Sequence, residues 1–344
     1  MKEKLMVAVV LTMVLIGTML TVAPVCASPE DIKIGIIGPV GLPHWSPAGM
    51  KEASEIARDE INDADGINVG GVYRNISLIF KNEHAVPTPN PSEAQARIQE
   101  LYDAGCRIII GGFRTEVTGP MIEKAMMQAE PVIFLINGAA TNALLGNVTT
   151  NYDKYKYLFR VNPVNDTMLL KTICGGVQTL VSKMLPLFGC PNMGPYGNIS
   201  QVRFAVLTED LTWTLTMHAL FSNPFYYPTY LGPYVNCTYA ERISETATDL
   251  SSTLTNVVNS KARIIIHVFS GMVGIYFSAQ WGTAQVKAIP VGINVMAQLQ
   301  SHWGLPPPYG TGGKCEYESI LNFVGTRTPI TPEAVAFWDK FVNK

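Results

Sequence analysis

Charge is scarce in this sequence. The 344 residues hold 25 basic and 27 acidic side chains, 15% in all, against about a quarter in an ordinary soluble protein. No block of like charge occurs and the net charge is −2, which argues against a nucleic-acid-binding surface and against long disordered tails. Catalytic signatures are also missing: there is no Gly-x-Ser-x-Gly elbow and no His-Glu-x-x-His helix. The five histidines (44, 84, 218, 267 and 302) are scattered, and no cysteine has metal-ligand spacing. An enzyme needs a nucleophile–base pair or a metal cluster, and none is legible; the sequence predicts no catalytic residue, metal or cofactor. Long apolar runs are rare too. Residues 5–22 form one, whereas 264–278 is too short and glycine-punctuated to span a bilayer.

The apolar run at 5–22 follows Lys2 and Lys4 and ends in Val25-Cys26-Ala27, with small residues placed for cleavage after Ala27. Residues 1–27 read as a secretory signal. A retained membrane anchor and a lipid-modified Cys26 are the alternatives, and all three put the remaining chain outside the cytoplasm, in a periplasmic or extracellular space. Cys106, Cys174, Cys190, Cys237 and Cys315 follow the signal, so oxidation would leave at least one free. Cys106 opens an apolar strand and is the expected free thiol. The other four allow two bridges in three pairings.

Apolar runs and helical periodicity alternate after residue 31. Strands are predicted at 32–38, 77–80, 107–110 and 131–136, with helices at 47–62, 91–104 and 117–129 between them. A β-α-β order of this kind implies a parallel sheet covered by helices on both faces. The same grammar restarts after residue 160, with strands at 203–207, 235–241, 263–268 and 288–291. Residues 187–200 and 222–234, rich in Gly, Pro, Asn and Tyr, read as loops. The fold class is therefore α/β with two doubly wound parallel-sheet lobes and a cleft between them: lobe 1 over 28–156, lobe 2 over 157–318, and 319–344 a second crossing with the start of a return to lobe 1.

Gly35, Gly38 and Gly41 between the first strand and helix have the wrong spacing for a dinucleotide site, and a tight turn explains them better. His267, at the end of an apolar strand, reads as a satisfied core residue. The segments after the third and fourth strands, Gly111-Gly112-Phe113-Arg114-Thr115 and Asn137-Gly138-Ala139-Ala140-Thr141, lie where open α/β sheets bind ligands. Small residues there admit backbone N–H groups to an anion, and Thr115 and Thr141 add hydroxyls, though both equally suit helix capping.

Ile34-Gly35-Ile36-Ile37-Gly38-Pro39, the 107–112 strand with Thr115, Ile136-Asn137-Gly138-Ala139-Ala140-Thr141 and Leu158-Phe159-Arg160 together resemble type I periplasmic binding proteins. The similarity is strongest to the leucine/isoleucine/valine-binding branch that serves ABC importers. The resemblance implies two lobes closing on a small amino-acid-like ligand, delivery to an ABC permease in the membrane, and no nucleic acid. It places Thr115, Ala139, Ala140 and Thr141 around the ligand's carboxylate and amine, with Trp45 near its side chain. On lobe 2 it implies Trp213, Ser270 and Asn294. Asn294 falls where the family carries an acid for the ligand's amine, so either Asp210 or Glu209 substitutes from the neighbouring loop or the ligand is another small acid, amide or amine. A sensory ligand-binding domain of the same fold is the alternative function. Against the family pattern the chain is expected to stop short of the final lobe-1 helices, leaving an apolar sheet face uncovered.

Overall fold

The computed structural model describes residues 30–39, 49–86, 88–162, 164–184, 202–232, 235–299, 301–321 and 331–343. The signal segment, His44, Trp45, Cys190 and most of the expected second crossing lie outside them.

The first described elements are β1 (Ile32–Gly38) and α1 (Met50–Asp63), followed by an antiparallel hairpin of β2 (Ile67–Val69) and β3 (Val72–Arg74). Then come β4 (Ile76–Asn82), α2 (Pro91–Asp103), β5 (Ile108–Gly111), α3 (Thr115–Met126), β6 (Ile133–Ile136), α4 (Ala143–Thr150), α5 (Tyr152–Tyr155) and β7 (Leu158–Arg160). The first sheet has the order β4-β1-β5-β6-β7, and all its pairings are parallel. Unbroken isoleucine runs suit strands covered on both faces. Ile37, Ile109, Phe134 and Ile136 are fully buried beneath Ile98, Leu101, Val117 and Met121 of α2 and α3. Helix α2 starts as its sequence dictates, with Pro91 in the first turn and Asn90 accepting from Glu93 N at 3.2 Å.

Among the described residues, the opposite face of this sheet is less covered. Helix α1 packs on β1 and β4, while Ile108, Ile110, Ile133 and Leu135 are only part-buried and Phe159 is 48% exposed.

The second lobe opens with α6 (Asp166–Thr179), which continues as a π-helical turn over Leu180–Met184. β8 (Val202–Glu209), α7 (Leu215–Ser222), α8 (Tyr227–Leu231), β9 (Val235–Ile243), α9 (Ser251–Asn259), β10 (Ile264–Phe269), α10 (Val273–Thr283), β11 (Ile289–Asn294) and β12 (Ser319–Ile320) follow. Its sheet runs β12-β11-β10-β8-β9, again all parallel. β10 is buried at every position. α11 (Pro332–Val342) lies against α1 of the first lobe, with an ion pair from Lys340 to Glu60. No helix among the described residues is long and apolar enough to cross a membrane.

The two-lobe parallel architecture matches the sequence expectation. Two local features differ from it. Helix α8 occupies part of 222–234, expected as loop, because Tyr227 and Leu231 bury into the lobe-2 core. The β2–β3 hairpin turns at Gly70 and Gly71, both with positive φ, and is largely exposed, so it carries no apolar alternation toward a core. Cys106, Cys174, Cys237 and Cys315 are all free thiols, so none of the bridges that the sequence allows forms among the described residues. Burial pushes the Cys174 and Cys237 thiols up to about 11, which makes them inert packing residues.

Candidate functional site

The carboxyl ends of both sheets face a cavity of about 270 Å³ between the lobes. Lobe 1 contributes Phe113, Arg114, Asn137 and Gly138, and the connection after β7 contributes Asn162 and Val164. Lobe 2 contributes Leu169, Trp213, Ser270 and Ile293. A mostly apolar wall with a few polar groups is the usual composition of a small-molecule site. A larger groove of about 770 Å³ lies on the outside of lobe 2, between α9, α10 and the 307–314 segment. It gathers no buried charge, and the chemistry is in the cleft.

Arg114 dominates that chemistry. It sits before α3, held there because Thr118 Oγ1 and Thr118 N both donate to its carbonyl. Its side chain reaches across to lobe 2. Nη2 lies 3.2 Å from Glu209 Oε1 and Nη1 lies 2.6 Å from Glu245 Oε2, while Nη1 also donates to Ala85 O within its own lobe. The Arg114 and Glu209 side chains are 2% and 0% exposed, so the pair is dry. Ser270 donates its N–H (2.6 Å) and its hydroxyl to Glu209 Oε2, closing the network on the lobe-2 side. Behind Arg114, the Glu83 carboxylate accepts from Phe113 N through both oxygens, at 3.1 and 2.9 Å. A second interlobe contact runs from Thr212 N to Glu116 Oε1.

One guanidinium thus serves several carboxyl groups in little water. Burial raises the pKa of Glu209 and Glu245, and Arg114 offsets only part of the shift. Burial pushes the fully enclosed Glu83 up to about 8.

The residues expected at the ligand are placed as follows. Ala140, Trp213 and Ser270 line the cavity. The Thr115 and Thr141 hydroxyls bond each other at 2.7 Å, next to the cavity lining rather than in it. Ala139 N is taken by Gly112 O at 2.8 Å, and a Cβ at Gly138 would sit 2.8 Å from that same carbonyl. The small residues after β5 and β6 therefore let the two loops pack backbone on backbone. Arg160 Nη2 ties the second loop down further, through Ala139 O and Thr141 O.

Asn294 is fully buried inside lobe 2, where Nδ2 donates to Gly274 O at 3.1 Å, and it does not line the cavity. A Cβ at Gly274 would meet Asn294 Oδ1 at 2.3 Å, so α10 is packed directly on this side chain. Glu209 faces the cleft contacts, whereas Asp210 pairs with Arg242 outside it. Trp45 lies outside the described residues.

Besides several apolar wall residues, sequence reading missed three polar or charged cavity residues: Arg114, Asn137 and Asn162. Arg114 and Asn137 stand inside the segments singled out after β5 and β6, so attention to charge and amide groups there, beyond the small residues, would have found them. Asn162 donates to Asn137 O at 2.8 Å and fixes that loop to the crossing. Trp213 Nε1 and Asn137 Oδ1 are buried without a hydrogen-bond partner, one from each lobe.

No family model matches the sequence, and no curated protein matches it. Solved structures do match. A solute-binding protein of an ABC transporter from R. palustris, in complex with 4-hydroxybenzoate, is 16% identical with a TM-score of 0.60, over 92% of this chain and 73% of that one. The branched-chain amino acid transporter substrate binding protein LivJ from Streptococcus pneumoniae, in complex with isoleucine, is 15% identical with a TM-score of 0.60, over 91% and 77%. The leucine binding protein LivK from Thermotoga maritima is 14% identical with a TM-score of 0.55, over 77% and 63%. With its two parallel five-stranded lobes around a shared cavity, this chain has the type I periplasmic binding protein fold.

Proposed function

We propose that the chain is an exported solute-binding protein that takes up a small amino-acid-like molecule between its lobes and hands it to an ABC permease. The observation that carries this reading is the pair of unpartnered groups at the cavity. Trp213 on lobe 2 offers an N–H donor and Asn137 on lobe 1 an amide acceptor, both buried. Buried polar atoms without partners are rare, and a bound solute bearing one acceptor and one donor satisfies both. Charge favours a zwitterion over a plain anion. Arg114 is already faced by Glu209 and Glu245, so an incoming carboxylate is better tolerated with its own ammonium beside it. Glu209 is the acid suited to that ammonium. Uptake then proceeds by hinge closure, with the Arg114 contacts remade across the cleft as the lobes meet.

Thermal melts of the exported chain with a panel of amino acids and small carboxylic acids test this. A ligand at a hundred times its dissociation constant stabilises by about 2.7 kcal/mol. Trp213→Phe keeps the ring and removes the donor, so affinity is expected to fall roughly tenfold, the value of one hydrogen bond. A cooperative melt that no member of the panel shifts would sink the proposal.

A further inference from the structure

The connection from the 3-10 turn Val295–Gln298 to β12 carries Pro306, Pro307 and Pro308, contains no helix or strand among its described residues, and is tied to lobe 2 through Asn294 and Glu318. Three of its side chains converge. One donor atom each from His302, Cys315 and Glu318 lies within 4.8 Å of the other two.

The cluster is partly buried, with Cys315 half-buried, and it is chemically incomplete. His302 is 7% exposed and neither of its ring nitrogens has a hydrogen-bond partner. The Glu318 side chain is 1% exposed. Its Oε2 has no partner and stands 3.7 Å from His302 Nε2, too far for a hydrogen bond. Its Oε1 is held from behind: Asn294 Nδ2 donates to it at 3.2 Å, and His267 Nε2 lies 3.4 Å away. Thr311 Oγ1, also buried, is 3.2 Å from Cys315 Sγ. One carboxylate oxygen is thus oriented by neighbours, and the other is left facing an imidazole and a thiol. Outer groups that orient an inner ligand in this way are the normal surroundings of a bound metal.

From this arrangement we infer that His302, Cys315 and Glu318 form a zinc site that anchors the 299–318 connection to lobe 2, with solvent completing the coordination. A nitrogen, a thiolate sulfur and a carboxylate oxygen suit zinc and disfavour magnesium or calcium. Bond lengths of about 2.0 Å to nitrogen and about 2.3 Å to sulfur put the donors of a tetrahedral site about 3.3–3.5 Å apart, a modest contraction of the present cluster. Asn294 and His267 then act as outer-shell residues on Glu318. The sequence hides the site because His302 stands twelve residues before Cys315 in a proline-rich stretch, and Glu318 supplies a carboxylate where zinc motifs repeat Cys or His. The inference is independent of what the cleft binds.

The test uses the full chain, free of any affinity tag, stripped with a chelator and dialysed, then titrated with zinc or cobalt(II). One zinc per chain is expected by elemental analysis, with a melting temperature that rises with free zinc and not with magnesium. The cobalt form is expected to show thiolate-to-metal charge-transfer absorption. Cys315→Ser should abolish that band, and His302→Ala should weaken zinc binding about a hundredfold or more, as expected when one of three protein ligands is lost. Cys237→Ser should leave both readouts unchanged. Folded stripped protein that binds no zinc and melts identically with and without it overturns the inference. Cobalt absorption that survives Cys315→Ser does so as well. If a variant fails to fold, the zinc titration of the unmodified chain decides alone.

Discussion

Replacing Arg114 by alanine is expected to cost about 3–5 kcal/mol of stability, a fall of roughly 10 °C in Tm for a chain of this size. The reason is the orphan it leaves. Glu209 is wholly buried, with its Oε1 on Arg114 and its Oε2 on Ser270. Without the guanidinium its ionised form has lost the charge that opposes its burial. The double variant Arg114→Met/Glu209→Gln removes both charges and should recover most of the loss, a coupling that two independent sites would not show. Because the pair joins the lobes, the single variant should also open the cleft, read as a larger radius of gyration in solution scattering. An Arg114→Ala protein with unchanged Tm and unchanged radius would show that the pair is not what holds the lobes together here.

The same residue shows what the sequence discloses and what it withholds. The strands were legible because a parallel sheet buries both faces. β1, β5 and β10 are rich in isoleucine; β1 has the expected limits, and β5 and β10 differ by one residue, the usual uncertainty of element ends. The position of the cleft was legible for a related reason, since the strand order puts loop residues 111–115 and 137–141 at one sheet edge. The roles inside the cleft were not. Glycine beside a strand end means close backbone approach, but a sequence cannot say approach to what. Here Gly138 approaches Gly112 O of the neighbouring loop. Arg114 and Glu209 are separated by 95 positions and lie on different lobes, so no local spacing links them. His267 likewise read as a satisfied core residue. Its burial follows from the apolar strand, but neither ring nitrogen has a hydrogen-bond partner, and the nearby charge is Glu318, 3.4 Å from Nε2 and carried by a connection with no periodic pattern. The β2–β3 hairpin did carry a signal, Val69-Gly70-Gly71-Val72, of the kind that marks a two-residue turn.

The second large effect concerns pH and Glu83. Its carboxyl is enclosed at the end of β4, with Phe113 N donating to it and Arg114 as the nearby cation that lowers its pKa. Burial outweighs these contacts, holding the folded pKa at about 8 against an ordinary value of 4.5. The folded chain therefore binds this proton more tightly than the unfolded chain. Between these two values the folded state keeps a proton that the unfolded state has lost, so stability falls as pH rises. The contribution is fully present below about pH 4.5 and gone above about pH 8, a change on the order of 5 kcal/mol at 1.36 kcal/mol per unit. Glu209 and Glu245, also raised by burial, add slope of the same sign. Glu83→Gln keeps an acceptor for Phe113 N and removes the titration. The variant is expected to have a flatter stability profile from pH 5 to 8 and to be more stable than the parent at pH 8, with the two converging in acid. Denaturant melts across that range measure it, and parallel profiles for parent and variant would mean that Glu83 is ionised throughout. The consequence for the cleft follows from position. Glu83 supports the loop that carries Arg114, so a proton lost there alters the charge balance around a cation that spans the lobes, and interlobe closure should weaken over the same pH range.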